Sequence, residues 1–230
     1  MSKKILDLWD KAAEKYALEQ EASPFAELNK QIVENRFHDF TGKRVLDLGC
    51  GYGGYTEMFR KSGNRATGCD GSEKMIEIAK EKYPDCNFLI ADIEKKLPFA
   101  DKSFDLILCN QVLMDIKDFA STIAECSRLT VTGGILYIGI VHPAFYDSIW
   151  KKDASGFYSE KRMRKYLSNY TLVNTFWGNT THYHRTISEY VNKMIENGFQ
   201  LKHMKEPESY DGISKSKEFP LFLFLEFEKI

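Results

Sequence analysis

Between Arg44 and Val141, short apolar runs alternate with amphipathic stretches, and this alternation restricts the fold more than any other feature. RVLDL, RATGCD, CNFLIAD, SFDLILCN and ILYIGIV read as buried strands, while EKMIEIAKEKY and DFASTIAECSRL between them read as helices. Strands separated by helices in this way specify a parallel sheet covered on both faces. The first strand runs into VLDLGCGYGGYT, Val45–Thr56, where four of the six residues from Gly49 to Gly54 carry no side chain. Such a stretch packs poorly and is conformationally expensive, so something must gain from bare backbone there.

The flanks complete the outline. Ile5, Leu8, Trp9, Ala12, Ala13 and Tyr16 share one helical face near the start. From His142 to Arg185 the rhythm breaks into a long aromatic segment, expected to hold a helix, a small hairpin or both. Thr186 and Glu189 then form a capping box, Gly198 ends that helix, and FQLKHMKE and FPLFLFLEFEKI read as two antiparallel edge strands. The expected organisation is a helical cap over 1–40, a binding core over 41–141, an insertion over 142–185 covering a substrate, and a completing segment over 186–230.

Composition narrows the function. Apolar residues at 43% and aromatics at 13% suit one large domain with a substantial core. A formal charge of −1 offers no general attraction to nucleic acid or an anionic membrane, so neither is expected as a partner. No apolar run is long enough to span a bilayer, and the charged first residues do not read as a signal peptide. Five cysteines without a CxxC pair point to reduced thiols in the cytoplasm and against a zinc site.

Gly49, Gly51 and Gly54 satisfy GxGxxG between a strand and a helix, a pattern that a tight structural turn also produces. Asp70 ends the next strand, where a carboxylate accepts both ribose hydroxyls of a nucleoside or merely caps the following helix. Asp47, just before the glycines, would repel a pyrophosphate and suits a ligand bearing an ammonium group. Asp92 follows the third strand, within reach of an adenine amine. Three acids around one glycine loop fit a cationic adenosine derivative better than a nicotinamide dinucleotide.

At these residues the chain resembles the class I S-adenosylmethionine-dependent methyltransferases, in the broad small-molecule group called type 11. The resemblance covers about Leu6–Val141 and, more loosely, HRTISEYVNKMIENGFQLKHMKEPE. It implies a Rossmann-like, mostly parallel α/β sheet of seven strands ordered 3-2-1-4-5-7-6, with strand 7 antiparallel and helices on both faces. It further implies S-adenosyl-L-methionine as cofactor, held by Asp47, Gly49, Cys50, Gly51 and Gly53 in the first motif and by Asp70, Gly71 and Met75 in the second. Ala91, Asp92 and Ile93 fall at the adenine edge, Asn110 and Gln111 under the methionine end, and Tyr16 closes over the cofactor.

Methyl transfer from a sulfonium depends chiefly on positioning and requires a base only where the acceptor must lose a proton. His142, after the fifth strand, and Asp115 are the candidate catalytic groups; His142 alternatively fixes a turn with Pro143. Tyr146, Trp150, Tyr183 and Arg185 are candidate substrate contacts, with Arg185 suited to a carboxylate or phosphate. His182 and His184 lack an evident third ligand, so no metal is expected. The basic run KRMRKY from Lys161 suits a solvated helix face. The expected function is methylation of a small molecule at O or N. Methylation of an RNA or a carrier protein, and nucleoside binding without catalysis, are the alternatives.

Overall fold

A computed structural model describes residues 3–208 and 215–230. Two helices, α1 (Lys3–Glu21) and α2 (Pro24–Phe37), precede β1 (Arg44–Leu48), α3 (Gly54–Lys61), β2 (Arg65–Asp70), α4 (Glu73–Lys82) and β3 (Asn87–Ile90). Then come β4 (Phe104–Asn110), a 3₁₀ turn at Leu113–Asp115, α5 (Phe119–Leu129) and β5 (Thr130–Val141). The insertion carries β6 (Ile149–Lys152), β7 (Tyr158–Arg162), β8 (Tyr170–Asn174), a second 3₁₀ turn at Thr175–Trp177 and β9 (Thr180–His184). α6 (Ile187–Glu196), β10 (Phe199–Lys205) and β11 (Phe222–Lys229) follow.

The seven-stranded sheet runs β10-β11-β5-β4-β1-β2-β3, with β11 antiparallel to both its neighbours, which is the topology the motifs imply. Period-two alternation divides each strand between two cores. Leu46, Leu48, Ile107 and Cys109 face α5 and α6 together with Ile123, Tyr190 and Met194. Val45, Leu106, Leu108 and Phe224 face Ile32, Val33 and Phe37 of α2 and Phe59 of α3. Burial on both faces explains why the strand runs are almost uniformly apolar.

α2 starts where Ser23 accepts a hydrogen bond from the Ala26 N–H and Pro24 occupies the first helical turn. Arg36 then clamps Glu226 of β11 through bonds of 2.5 and 2.6 Å, fixing this helix to the sheet. The capping box read from the sequence is present, with Thr186 and Glu189 capping α6 reciprocally, and Ser72 caps α4 by accepting from the Met75 N–H.

The insertion realises the hairpin alternative twice and carries no α-helix. It forms two antiparallel hairpins, β6–β7 and β8–β9, and the basic run from Lys161 lies on β7 and the segment after it rather than on a helix. Alternating charge on β7 leaves no apolar stripe of helical period. Gly133 and Gly134 lie inside the long β5, at an irregularity in its pairing with β4, rather than ahead of the strand. Among the described residues no helix is long and apolar enough to cross a membrane.

Candidate active site

The carboxyl ends of β1, β2 and β4 meet where the strand order reverses, the position at which open α/β sheets bind ligands. The loop after β1 holds Gly49, Gly51 and Gly53 at φ of +75°, +51° and +88°, the left-handed region that disfavours side chains. Their surroundings separate their roles. A Cβ on Gly49 would meet Val112 at 2.5 Å, and one on Gly53 would meet Phe88 at 2.6 Å, so these two glycines allow the loop to pack. A Cβ on Gly51 would meet nothing closer than Tyr16 at 3.9 Å and Met75 at 4.0 Å. Bare backbone at Gly51 therefore faces the cleft between those two side chains.

Asp70 ties this loop to α4. Its Oδ2 accepts from the Gly51 N–H at 3.0 Å, and its Oδ1 accepts from the Ser72 N–H at 2.8 Å. Asp47 is 2% exposed and accepts from the Thr56 hydroxyl at 2.7 Å; burial pushes its carboxyl up to about 7 despite that bond, and the Asp70 charge pushes the same way. Desolvation likewise raises Asp70, and burial raises Asp115 well above the usual carboxylate range. Among the described residues none of the three pairs with a lysine or arginine. Clustered acids without compensating cations among the described residues make this end of the sheet favourable to positive charge. Together with the open backbone at Gly51, this donor set fits S-adenosylmethionine, whose sulfonium and ammonium are cationic.

The remaining predicted cofactor residues lie near the same carboxyl end of the sheet, in or beside β3, β4 and the first turn of α4. Met75 is buried in the first turn of α4, Ile93 is buried after β3, and Ala91 beside it donates its N–H to Asp70 O at 2.8 Å. Asp92 accepts from the Glu94 N–H at 3.1 Å and lies 3.4 Å from Lys95. Cys50 is buried, with its N–H on Cys69 O. Asn110 donates to the Tyr55 hydroxyl, leaving its buried Oδ1 without a partner. Gln111 holds φ at +59°, a strained backbone for a residue with a side chain, of the kind that concentrates at functional sites. α1 lies across the mouth: Leu6 sits where a Cβ on Gly71 would fall, Asp10 accepts from the Ser72 hydroxyl at 2.6 Å, and Tyr16 packs edge-on to Trp177.

On the acceptor side the structure redistributes the expected roles. His142 has both ring nitrogens engaged: Nδ1 accepts from the Ala144 N–H at 3.1 Å, leaving Nε2 to donate to Glu206 at 2.7 Å. It fixes the turn at Pro143, the alternative to a base role. Arg185 is 9% exposed and donates to the carbonyls of Leu113, Ile116 and Lys117 at 3.1, 2.6 and 3.2 Å, with Tyr183 and Phe119 against its guanidinium. It thereby clasps the turn bearing Asp115 instead of presenting a cation to a ligand. Trp150 packs with Phe219 and Tyr158 in a separate cluster, whereas the Tyr146 ring lies 5.6 Å from His182. The residue that sequence spacing alone did not single out as a partner is His182, whose Nε2 lies 3.0 Å from Asp115 Oδ1. Arg185→Met should lower unfolding stability by about 3 kcal/mol, because three buried carbonyls lose charged donors. Urea unfolding of the variant measures this; a loss below about 1 kcal/mol would refute the clasp.

The family model described as a methyltransferase domain matches residues 46–138. The chain is 32% identical over 146 residues to a malonyl-[acyl-carrier protein] O-methyltransferase of Buchnera aphidicola, covering 63% of this chain and 58% of that protein. It thus spans less than two thirds of the length of this relative. It is 29% identical over 216 residues to a demethylmenaquinone methyltransferase of Thermotoga maritima, covering 86% and 89%. An S-adenosylmethionine dependent methyltransferase from Mesorhizobium loti superposes with a TM-score of 0.71 at 26% identity, over 82% of this chain and 92% of that one. Glycine loop, sheet order and these likenesses agree: residues 46–138 match a methyltransferase domain, and the chain is similar over most of its length to S-adenosylmethionine-dependent methyltransferases.

Proposed function

We propose that the protein transfers the methyl group of S-adenosylmethionine to a small-molecule acceptor at oxygen or nitrogen. The observation that carries this reading is the acidic cluster beside Gly51, in which Asp47, Asp70 and Asp115 are desolvated together without a lysine or arginine partner among the described residues. Asp70 and the Gly51 backbone would hold the ribose, Met75 and Ile93 the faces of the adenine, and Asp92 its edge. Asn110, Gln111 and Asp47 would hold the methionine end, with Asp47 acting through its charge since its oxygen already accepts from Thr56. Bound there, the cofactor supplies an activated methyl group on a sulfonium. The chain's own contribution is to orient that sulfur toward the cavity beyond Asp115 and to exclude water beneath Tyr16 and Trp177.

The two named relatives carry different acceptors in their names, malonyl-[acyl-carrier protein] and demethylmenaquinone, so the acceptor must be assigned by experiment. S-adenosylhomocysteine should raise the melting temperature by several degrees while NADH leaves it unchanged. Tritium from labelled cofactor incubated in cell extract should partition into small solvent-extractable products. Label retained on protein or released by nuclease would overturn the small-molecule reading, and stabilisation by NADH alone would overturn the cofactor.

A further inference from the structure

The β6–β7 hairpin forms a sheet of its own, and its two faces are unlike. Residues opposite one another across an antiparallel pair share a face. The register sets Trp150 opposite Lys161, and Ile149 and Lys151 opposite Arg162 and Glu160. The Trp150 face is half-buried: its indole packs edge-on to Phe219, and Lys161 crosses that ring at 4.7 Å to donate to Phe145 O at 2.6 Å. On the other face Ile149, Lys151, Glu160 and Arg162 are all exposed. Met163, Arg164, Lys165 and Leu167 continue the chain from there, exposed as well.

Between Ile149 and Lys165 lie six basic residues and two acidic ones, on a chain whose formal charge is −1, so the rest of the chain is net acidic. The whole-chain charge conceals this polarity. Asp153 is spent on the hairpin turn, where its Oδ1 accepts from the N–H groups of Ser155 and Phe157, which leaves Glu160 as the acid on the exposed face. Lys151, Lys152, Arg162, Arg164 and Lys165 have no carboxylate partner among the described residues. Among these cations stand Ile149, Met163 and Leu167, the last 85% exposed. Cations alone suit any polyanion; aliphatic side chains interleaved with them narrow the choice.

We propose that this face of the insertion docks on an anionic lipid surface. Lysine and arginine heads meet the headgroup phosphates, while their stems and the three aliphatic side chains enter the acyl boundary. The net acidic remainder is repelled by the same surface, which orients the molecule with the hairpin toward the lipid. Nucleic acid fits less well. The rings able to stack on bases, Trp150 and Tyr158, each carry a lysine ammonium, Lys161 at 4.7 Å and Lys152 at 4.8 Å. An acidic protein answers the cations, whereas a side chain as free as Leu167 gains most from a fluid layer that needs no matching pocket. The hairpin follows β5 at the carboxyl edge of the sheet, so docking sets that edge close to the lipid.

Co-sedimentation of the full chain with vesicles tests this. Vesicles of equal parts phosphatidylglycerol and phosphatidylcholine should bind the protein, less tightly as salt is added, and phosphatidylcholine alone should not. Replacing Arg162→Gln, Arg164→Gln and Lys165→Gln together should lower affinity for the anionic vesicles about 100-fold, since each cation at such a surface is worth about fivefold. Leu167→Ser, which leaves the charge intact, should lower it about fivefold. Thermal melting of both variants should match the wild type, because every substituted side chain is exposed. No binding to the anionic vesicles, equal binding to phosphatidylcholine alone, or undiminished affinity in the triple variant would each overturn the inference. Binding that falls in the triple variant yet is untouched by Leu167→Ser would overturn lipid docking in favour of an acidic protein partner. Vesicle binding needs no cofactor, so each of these outcomes is independent of the methyltransferase reading.

Discussion

Asp70→Asn should weaken S-adenosylhomocysteine binding about 100-fold, through the loss of one charge-assisted hydrogen bond to the ribose and the weakening of the other. In the free protein both carboxylate oxygens of Asp70 are aligned by N–H groups of Gly51 and Ser72, so the group is oriented before any ligand arrives. Asparagine keeps the size but turns an amide N–H against one of those donors. Calorimetry on the variant gives the affinity, and urea unfolding checks that stability falls by no more than about 2 kcal/mol. The loss should be the same factor for 5′-methylthioadenosine, which shares the ribose and lacks the amino acid. Unchanged affinity for both ligands would return Asp70 to a helix-capping role.

The sequence carries the sheet because its central strands are buried on both faces and most junctions are punctuated by a glycine, proline or cap. Thr186 with Glu189 and Ser72 before α4 are local signals with local outcomes, and both are realised. The glycine loop was legible as a whole, but not residue by residue. Gly49, Gly51 and Gly53 look alike in the chain, and only the placement of Val112 and Phe88 shows that two of them serve packing. Arg185 misleads for a related reason. A cation beside aromatics suggests a ligand, yet its partners are carbonyls of a turn about 70 residues earlier, which no local pattern announces. The meeting of Asp115 with His182 is likewise a product of tertiary placement, since β9 crosses the Leu113–Asp115 turn only once the insertion has folded into hairpins. α2 was read only as part of a helical cap over 1–40 and not as a separate helix, although Ser23-Pro24 is a recognisable helix start, because its buried positions Ile32, Val33 and Phe37 make a narrow stripe amid polar residues.

Asp47→Asn should make the free protein more stable at pH 8 and leave it nearly unchanged at pH 4. An unfolded aspartate ionises near 4, whereas burial raises folded Asp47 to about 7. Between those values the folded state holds the extra proton, so wild-type stability contributed by this site falls as pH rises and levels off above about 7. The difference of roughly three pK units corresponds to on the order of 4 kcal/mol, which asparagine recovers because it cannot ionise while its oxygen still accepts from Thr56. Urea unfolding of both proteins across this range isolates the site from Asp70 and Asp115, which are desolvated in each. Ligand binding should move the opposite way. The carboxylate of Asp47 favours an ammonium nearby, so the variant should bind S-adenosylhomocysteine about tenfold more weakly and 5′-methylthioadenosine equally well. A variant no more stable at pH 8 than wild type, or one that loses both ligands alike, would show that Asp47 braces the loop mechanically and that its charge plays no part in recognition.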